Sequence, residues 1–293
     1  MDSKLKTDME TDKAPQESQS TNLPAPRVTV EIDENQIALV SLNRADKYNA
    51  LDMAMFHAIA NTAKNLSKNK QVRVVIVRGH GKNFCTGLDV KSVFQDKTNF
   101  LKLLFKWWPS RANLAQRVST AWRDVSVPVI FALHGKCWGG GLQIAMGGDF
   151  RIAGPDIDMS ILEARWGLIP DMGGTLAFKE LLRADQLKEL AMTGRMVYAD
   201  EALKLGLVTE IHQQPLERAY QLAEQLLQSS PDALAAAKKL YNQSWWSSAG
   251  SALFREFYYQ IKVILGKNQS IAIKRAQAKS PEQKPDYIDR SFD

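Results

Sequence analysis

The chain has 293 residues and 45% hydrophobic content, enough for a real core and for one large domain or two small ones. Its net charge of +6 is spread without a dense Lys/Arg run, so an anionic ligand is allowed while a basic nucleic-acid stripe is missing. Two cysteines, Cys85 and Cys137, are too few for a disulfide framework, and no uncharged apolar run approaches the ~20 residues of a membrane span.

Residues 1–26 are polar, contain three prolines, and lack the apolar centre of a signal peptide and the arginines of a transit peptide. A disordered tail and a cytoplasmic protein with reduced thiols are expected. Val28–Ile32 and Ile37–Leu42 flank Asp33-Glu34-Asn35-Gln36 and read as a hairpin. Asp52 can cap a helix whose apolar face carries Met55, Phe56, Ile59 and Ala60. Residues 72–77 are a near-continuous Val/Ile run, hence a strand covered on both faces. A polar loop, 79–87, leads to a short helix from Asp89. Residues 98–124 look helical with a break at Pro109, and are rich in Trp and Phe.

The apolar run 127–133 predicts a strand, followed by three glycines, Gly139 to Gly141, and a buried helix over Leu142, Ile144, Ala145 and Met146. A strand that meets a helix through bare glycine leaves backbone N–H groups unpaired and open to close approach. Short strands are expected at Phe150–Ala153 and 159–162, helices at 175–182, 185–192 and Ala199–Leu205, and a short strand at 207–211. After Pro215 the pattern is helical to about Lys279. The order predicts an α/β core with a helical appendage: core 27–212, helical region 213–280, and a loose tail 281–293.

Four blocks carry chemistry together. They are Leu42-Asn-Arg-Ala-Asp-Lys-Tyr-Asn-Ala-Leu51, Asn83-Phe-Cys-Thr-Gly-Leu-Asp89, the glycine-rich stretch 133–147, and Ile161-Leu-Glu-Ala-Arg-Trp-Gly-Leu-Ile-Pro-Asp-Met-Gly-Gly-Thr175. In this order and spacing they resemble the crotonase superfamily of enoyl-CoA hydratases and isomerases, over roughly residues 27–275. The resemblance implies a spiral of ββα units with C-terminal helices that mediate trimer formation. It also implies an acyl-CoA thioester substrate processed through an enolate, with a homotrimer or hexamer as the assembly. Two backbone amides would stabilise the thioester oxyanion, and the family pattern assigns them to Leu88 and Gly140.

Glu163 follows an apolar stretch, where a carboxylate gains a raised pKa suited to proton transfer. The family carries its acid/base glutamate at this position; the competing reading is an ion pair with Arg165 or Lys136. Asp171 matches the aspartate of the dienoyl-CoA isomerase branch, and otherwise would cap the helix near Thr175. Gln143 departs from the pattern, since two-glutamate hydratases have glutamate there and dienoyl isomerases have aspartate. Glutamine exchanges no proton near neutral pH but hydrogen-bonds in both directions. The departure favours double-bond isomerisation by Glu163 and Asp171 over hydration, with hydration using a water held by Gln143 as the alternative. A non-catalytic acyl-CoA- or RNA-binding scaffold is the reading from another class.

The resemblance brings Lys47, Ala50, Leu51, Thr86, Asp89 and Val90 to the CoA moiety, with Trp138, Gly139, Gln143 and Trp166 around the acyl end. Lys274 is a looser candidate for a phosphate. Of Phe105, Trp107, Trp108 and Trp122, most are expected in the core, the alternative being the lining of an acyl pocket. His57, His80, His134 and His212 show no metal spacing, and no cofactor is implied beyond the CoA of the substrate.

Overall fold

The two Val/Ile-rich runs at the centre of the chain lie side by side because each buries both of its faces. In the computed structural model, which describes residues 25–292, they are the middle strands of a six-stranded sheet. In chain order the elements begin with β1 (Val28–Ile32), β2 (Ile37–Leu42), α1 (Met53–Lys68), β3 (Val74–Gly79), α2 (Val90–Phe94), α3 (Lys97–Leu104) and α4 (Leu114–Arg123). They continue with β4 (Val129–Leu133), β5 (Lys136–Trp138), α5 (Gly140–Ala145), β6 (Phe150–Ala153), β7 (Asp158–Ser160), α6 (Gly174–Leu181) and α7 (Ala184–Thr193). Then come β8 (Val197–Tyr198), α8 (Ala199–Leu205), β9 (Glu210–Ile211) and four helices, α9 (Pro215–Leu227), α10 (Pro231–Ser244), α11 (Ala249–Ile264) and α12 (Lys267–Gln277).

The large sheet runs β1-β2-β3-β4-β6-β9, antiparallel at the β1–β2 hairpin and parallel elsewhere. Side chains alternate between faces along a strand, so β3 and β4 feed two separate cores. Val75, Val77, Val129, Phe131 and Leu133 join α1, α4 and α5 in the larger one. Ile37, Val74, Ile76, Ile130 and Ile152 pack under Ala219 and Ala223 of α9. Asp52 caps α1 by accepting from the Met55 amide, as the sequence predicts.

A second, three-stranded sheet, β5-β7-β8, carries the loops of interest. Residues 136–138 form a strand the sequence reading omits: three residues between Gly135 and the glycine triplet show no periodicity. Lys136 and Trp138 bridge through Cys85, whose amide donates to the Lys136 carbonyl and whose carbonyl accepts from Trp138. That pairing ties the loop 83–89 to the glycine stretch.

The predicted α/β core with a C-terminal helical region is the observed architecture. The expected disordered tail falls almost wholly on residues 1–24, which lie outside the described residues. Of the expected loose tail at 281–293, residues 288–292 are tied to the C-terminal helices, while Asp293 lies outside the described residues. Asp232 in α10 is buried and accepts from the amides of Ser291 (2.7 Å) and Phe292 (2.8 Å), and Asn268 bonds the backbone of Ile288. Phe292 is buried with Tyr259, edge-to-face at 5.4 Å. A polar tail can be ordered by buried acceptors far away in sequence, which local composition does not reveal.

Candidate active site

Glycine sets how closely the two loops approach. Gly87 has φ +83°, and a Cβ there would stand 2.8 Å from the Trp138 carbonyl and 3.1 Å from the Gly140 nitrogen. Gly141 is equally constrained, since a Cβ there would meet the Cys85 carbonyl at 2.3 Å. Leu88 is held by a bridge to Leu51, in which the Leu51 amide donates to Gly87 and the Asp89 amide donates to Leu51. Among the described residues the amides of Leu88 and Gly140 donate to no protein acceptor; Gly140, as the first residue of α5, has none within its helix. Both residues line one cleft of about 360 Å³.

Glu163 reaches that cleft from the 3-10 turn Leu162–Trp166, directly after β7. Its carboxylate lies 3.5 Å from where a Cβ on Gly139 would be, which sets it beside the start of α5. Burial pushes its pKa up; its own backbone contact and a hydrogen bond from Gln143 pull the other way, and the charge of Asp171 adds to the rise. Oε1 accepts from Gln143, while Oε2 is shielded from solvent and has no hydrogen-bond partner. Neither Arg165 nor Lys136 pairs with Glu163. The Lys136 ammonium instead lies over the Trp138 ring at 4.5 Å and near the Tyr48 ring at 5.8 Å.

Asp171 lines the same cleft at its rim, and burial raises its pKa too. It does not cap the following helix: the N-cap of α6 is Gly173, with no side-chain cap. Beyond Leu88, Leu168, Asp171 and Met172 the cleft adjoins an apolar cavity of about 110 Å³, walled by Phe56, Val93, Phe100, Leu103 and Ala115.

A family model for enoyl-CoA hydratase/isomerase matches residues 32–264. The chain belongs to the enoyl-CoA hydratase/isomerase family. Carnitinyl-CoA dehydratases from Salmonella typhi and Salmonella enteritidis are similar to it, at 33% identity over 206 residues and 31% over 205, covering 69% of this chain and 75% of theirs. The fold is similar to that of an enoyl-CoA hydratase from Bacillus anthracis, with TM-score 0.78, 26% identity, and coverage of 89% of this chain and 98% of that one. An enoyl-CoA hydratase from Mycobacterium tuberculosis H37Rv matches with TM-score 0.77 and 25% identity over 90% of this chain and 99% of its own.

Against this family frame, nine of the site residues expected from sequence line the cleft: Thr86, Leu88, Val90, Trp138, Gly139, Gly140, Glu163, Trp166 and Asp171. Lys47 is exposed next to Tyr48 at the cleft rim, and Ala50 is half-buried, its carbonyl taken by Arg44. Three others do not line the cleft. Leu51 is fully buried and packs behind Gly140. Asp89 spends its carboxylate on capping α2 and on Arg44 at 2.8 Å. Gln143 is fully buried beneath the cleft and touches Glu163 and the backbone rather than the cleft itself.

The core expectation for the aromatic cluster holds for Trp122 alone; Phe105, Trp107 and Trp108 are exposed. Tyr48 and Lys136 are cleft residues the sequence reading did not assign to the substrate. No local pattern marks either: β5 is three residues long, and its strand geometry, which turns Lys136 and Trp138 to one face and Cys137 to the other, exists only through pairing with β7.

Proposed function

We propose that the protein moves a double bond in an enoyl-CoA or dienoyl-CoA thioester through an enolate. The observation that carries this reading is a buried carboxyl with one unpartnered oxygen, Glu163, in one cleft with Asp171 and the free amides of Leu88 and Gly140. In a 3-enoyl thioester one carboxylate takes a proton from C2. The negative charge passes to the thioester oxygen, where two amide donors stabilise it by about 3–4 kcal/mol each in comparable sites. The proton returns at C4, leaving the double bond between C2 and C3. With a 3,5-dienoyl thioester the same charge spreads further and the proton returns at C6. Two carboxyl groups of raised pKa suit both transfers near neutrality, Glu163 and Asp171 sharing the roles of base and acid.

Hydration is the second reading, favoured by the names of the relatives. Its earlier form, a water held by Gln143, is weakened because both ends of that amide are bound to protein. A water activated by Glu163 and Asp171 together is the form that remains. The CoA moiety extends along Tyr48, Thr86 and Lys47, and the acyl chain enters the apolar cavity beside Met172. Exposed Leu253, Phe254, Phe257 and Ile261 on α11 support a homotrimer or a hexamer. No cofactor takes part beyond the CoA of the substrate.

Purified protein offered 3-enoyl-, 3,5-dienoyl- and 2-enoyl-CoA separates the readings. Isomerisation predicts product from the first two and little loss of 2-enoyl absorbance. Rapid hydration of 2-enoyl-CoA alone overturns it, and full activity in both Glu163→Gln and Asp171→Asn removes the proposed acid and base.

A further inference from the structure

Phe94, Phe100, Phe105, Trp107 and Trp108 are exposed within one short stretch of chain, of which Phe94 and Phe100 line the apolar cavity. Helix α3 is capped by Asp96 and buries Leu103, which with Phe100 and Leu104 walls that cavity. Its remaining apolar side chains and those after it point to solvent: Leu101 is 70% exposed, Phe105 64%, Trp107 85% and Trp108 62%. Phe94, and across the cavity Leu168 and Ile169, continue the exposed rim. Monomeric surfaces rarely leave so many large apolar groups contiguous.

The same segment is basic. Between positions 91 and 111 the sequence holds Lys91, Lys97, Lys102, Lys106 and Arg111 against a single acid, Asp96. Asp96 lies 4.0 Å from Lys102, and the Lys106 ammonium reaches only the Pro109 carbonyl at 3.4 Å. Asp171 at the cavity edge is the other acid that faces this region from the opposite wall.

We propose that residues 94–111 form a contact surface for an anionic lipid bilayer. Trp and Phe side chains interleaved with Lys and Arg match the headgroup boundary, where rings enter the interface and cations meet anionic headgroups. Each Lys or Arg near such a surface strengthens binding about fivefold. A second copy of the patch is a poor occupant, because pairing it with itself sets the cations Lys102, Lys106 and Arg111 against their own copies. No helix among the described residues is long and apolar enough to cross a membrane, so the contact is with the surface only.

The test is co-sedimentation of the full chain with vesicles of phosphatidylcholine alone and of an equal mixture with phosphatidylglycerol. Binding is expected to the anionic vesicles, to weaken with added salt, and to fall at least tenfold in Trp107→Ser/Trp108→Ser. Lys102→Glu/Lys106→Glu should weaken it more than tenfold without touching an apolar group. Circular dichroism confirms that each variant is folded; should the tryptophan variant fail, the lysine variant alone decides. Equal binding to neutral vesicles, no binding, or binding that survives both double variants overturns the proposal. So does a particle mass in sedimentation velocity that drops in Trp107→Ser/Trp108→Ser, which assigns the patch to a contact between copies.

Discussion

Gln143 donates from Nε2 to Glu163 Oε1 at 2.6 Å, while its carbonyl accepts from the amides of Met172 (2.9 Å) and Gly174 (3.2 Å). One buried amide therefore orients the carboxyl at the base of the cleft and fixes the backbone that follows Asp171. A carboxylate in its place could still accept from the two backbone amides, but it would set a second negative charge against Glu163. The departure from the two-carboxylate pattern thus leaves Glu163 a neutral hydrogen-bonded neighbour and preserves the loop.

Gln143→Leu removes both functions. Two buried amides lose their acceptor, which at roughly 1–3 kcal/mol per orphaned group predicts a stability loss of about 3 kcal/mol in urea unfolding. Turnover should fall more than substrate affinity, because the group disturbed lies behind Glu163. Gln143→Glu keeps the acceptor and should unfold nearer to wild type, while the pair of carboxyls titrates as a unit with one proton held well above the usual range.

Asp171→Asn tests the coupling between the two acids. The charge of Asp171 is a secondary cause of the raised pKa of Glu163, after burial, so its removal favours ionisation of Glu163. The acid limb of the kcat/KM profile should move to lower pH while the plateau drops. An acid limb that stays in place would mean the two groups do not sense each other.

Glu163→Gln has a stability consequence apart from activity. A carboxyl whose native pKa lies above its ordinary 4.5 binds its proton more tightly when folded than when unfolded. Wild-type stability is therefore drawn down as pH rises from the ordinary glutamate range through the raised native value. The variant lacks this loss. Its unfolding free energy relative to wild type should rise as pH climbs from the ordinary glutamate range through the raised native value, and flat or opposite behaviour contradicts a buried, desolvated Glu163.

Gly87→Ala addresses the loop crossing. An L-residue at φ +83° costs about 1–2 kcal/mol, and the added Cβ meets the Trp138 carbonyl at 2.8 Å. The loop must move away from the Gly140 amide. A drop in kcat that exceeds the loss in stability, measured on folded protein, is expected; wild-type kcat would show that the approach of Leu88 to Gly140 is irrelevant to turnover.

Much of this was legible before any coordinates. Asp52 as a cap, the Val/Ile runs at β3 and β4, the glycine triplet and the shared neighbourhood of Glu163 and Asp171 follow from local pattern or from the family resemblance. What escaped depends on contacts distant in sequence. Gln143 carries the signature of a site residue, yet whether it faces substrate or supports Glu163 is decided by residues 172–174, about thirty positions away. Aromatic composition at 105–108 suggests burial, but after α3 the chain has no partner layer to receive those rings.

Asp232 and the last residues give the most distant contact of this kind, and a prediction. Its buried carboxylate takes the amides of Ser291 and Phe292, the Ser291 hydroxyl at 3.2 Å and the Asn268 amide at 3.0 Å. Asp232→Ala strands two backbone donors and a buried asparagine, a loss of about 3 kcal/mol or more. Phe292 should then leave its place against Tyr259, freeing residues 286–292 to exchange their amides. Hydrogen exchange at Phe292 that is already fast in the wild type would show that the C-terminus is not held by Asp232. Slow exchange there that turns fast in Asp232→Ala, with the β4 amides still protected, would show that one buried acid in α10 orders a segment which its own composition marks as loose.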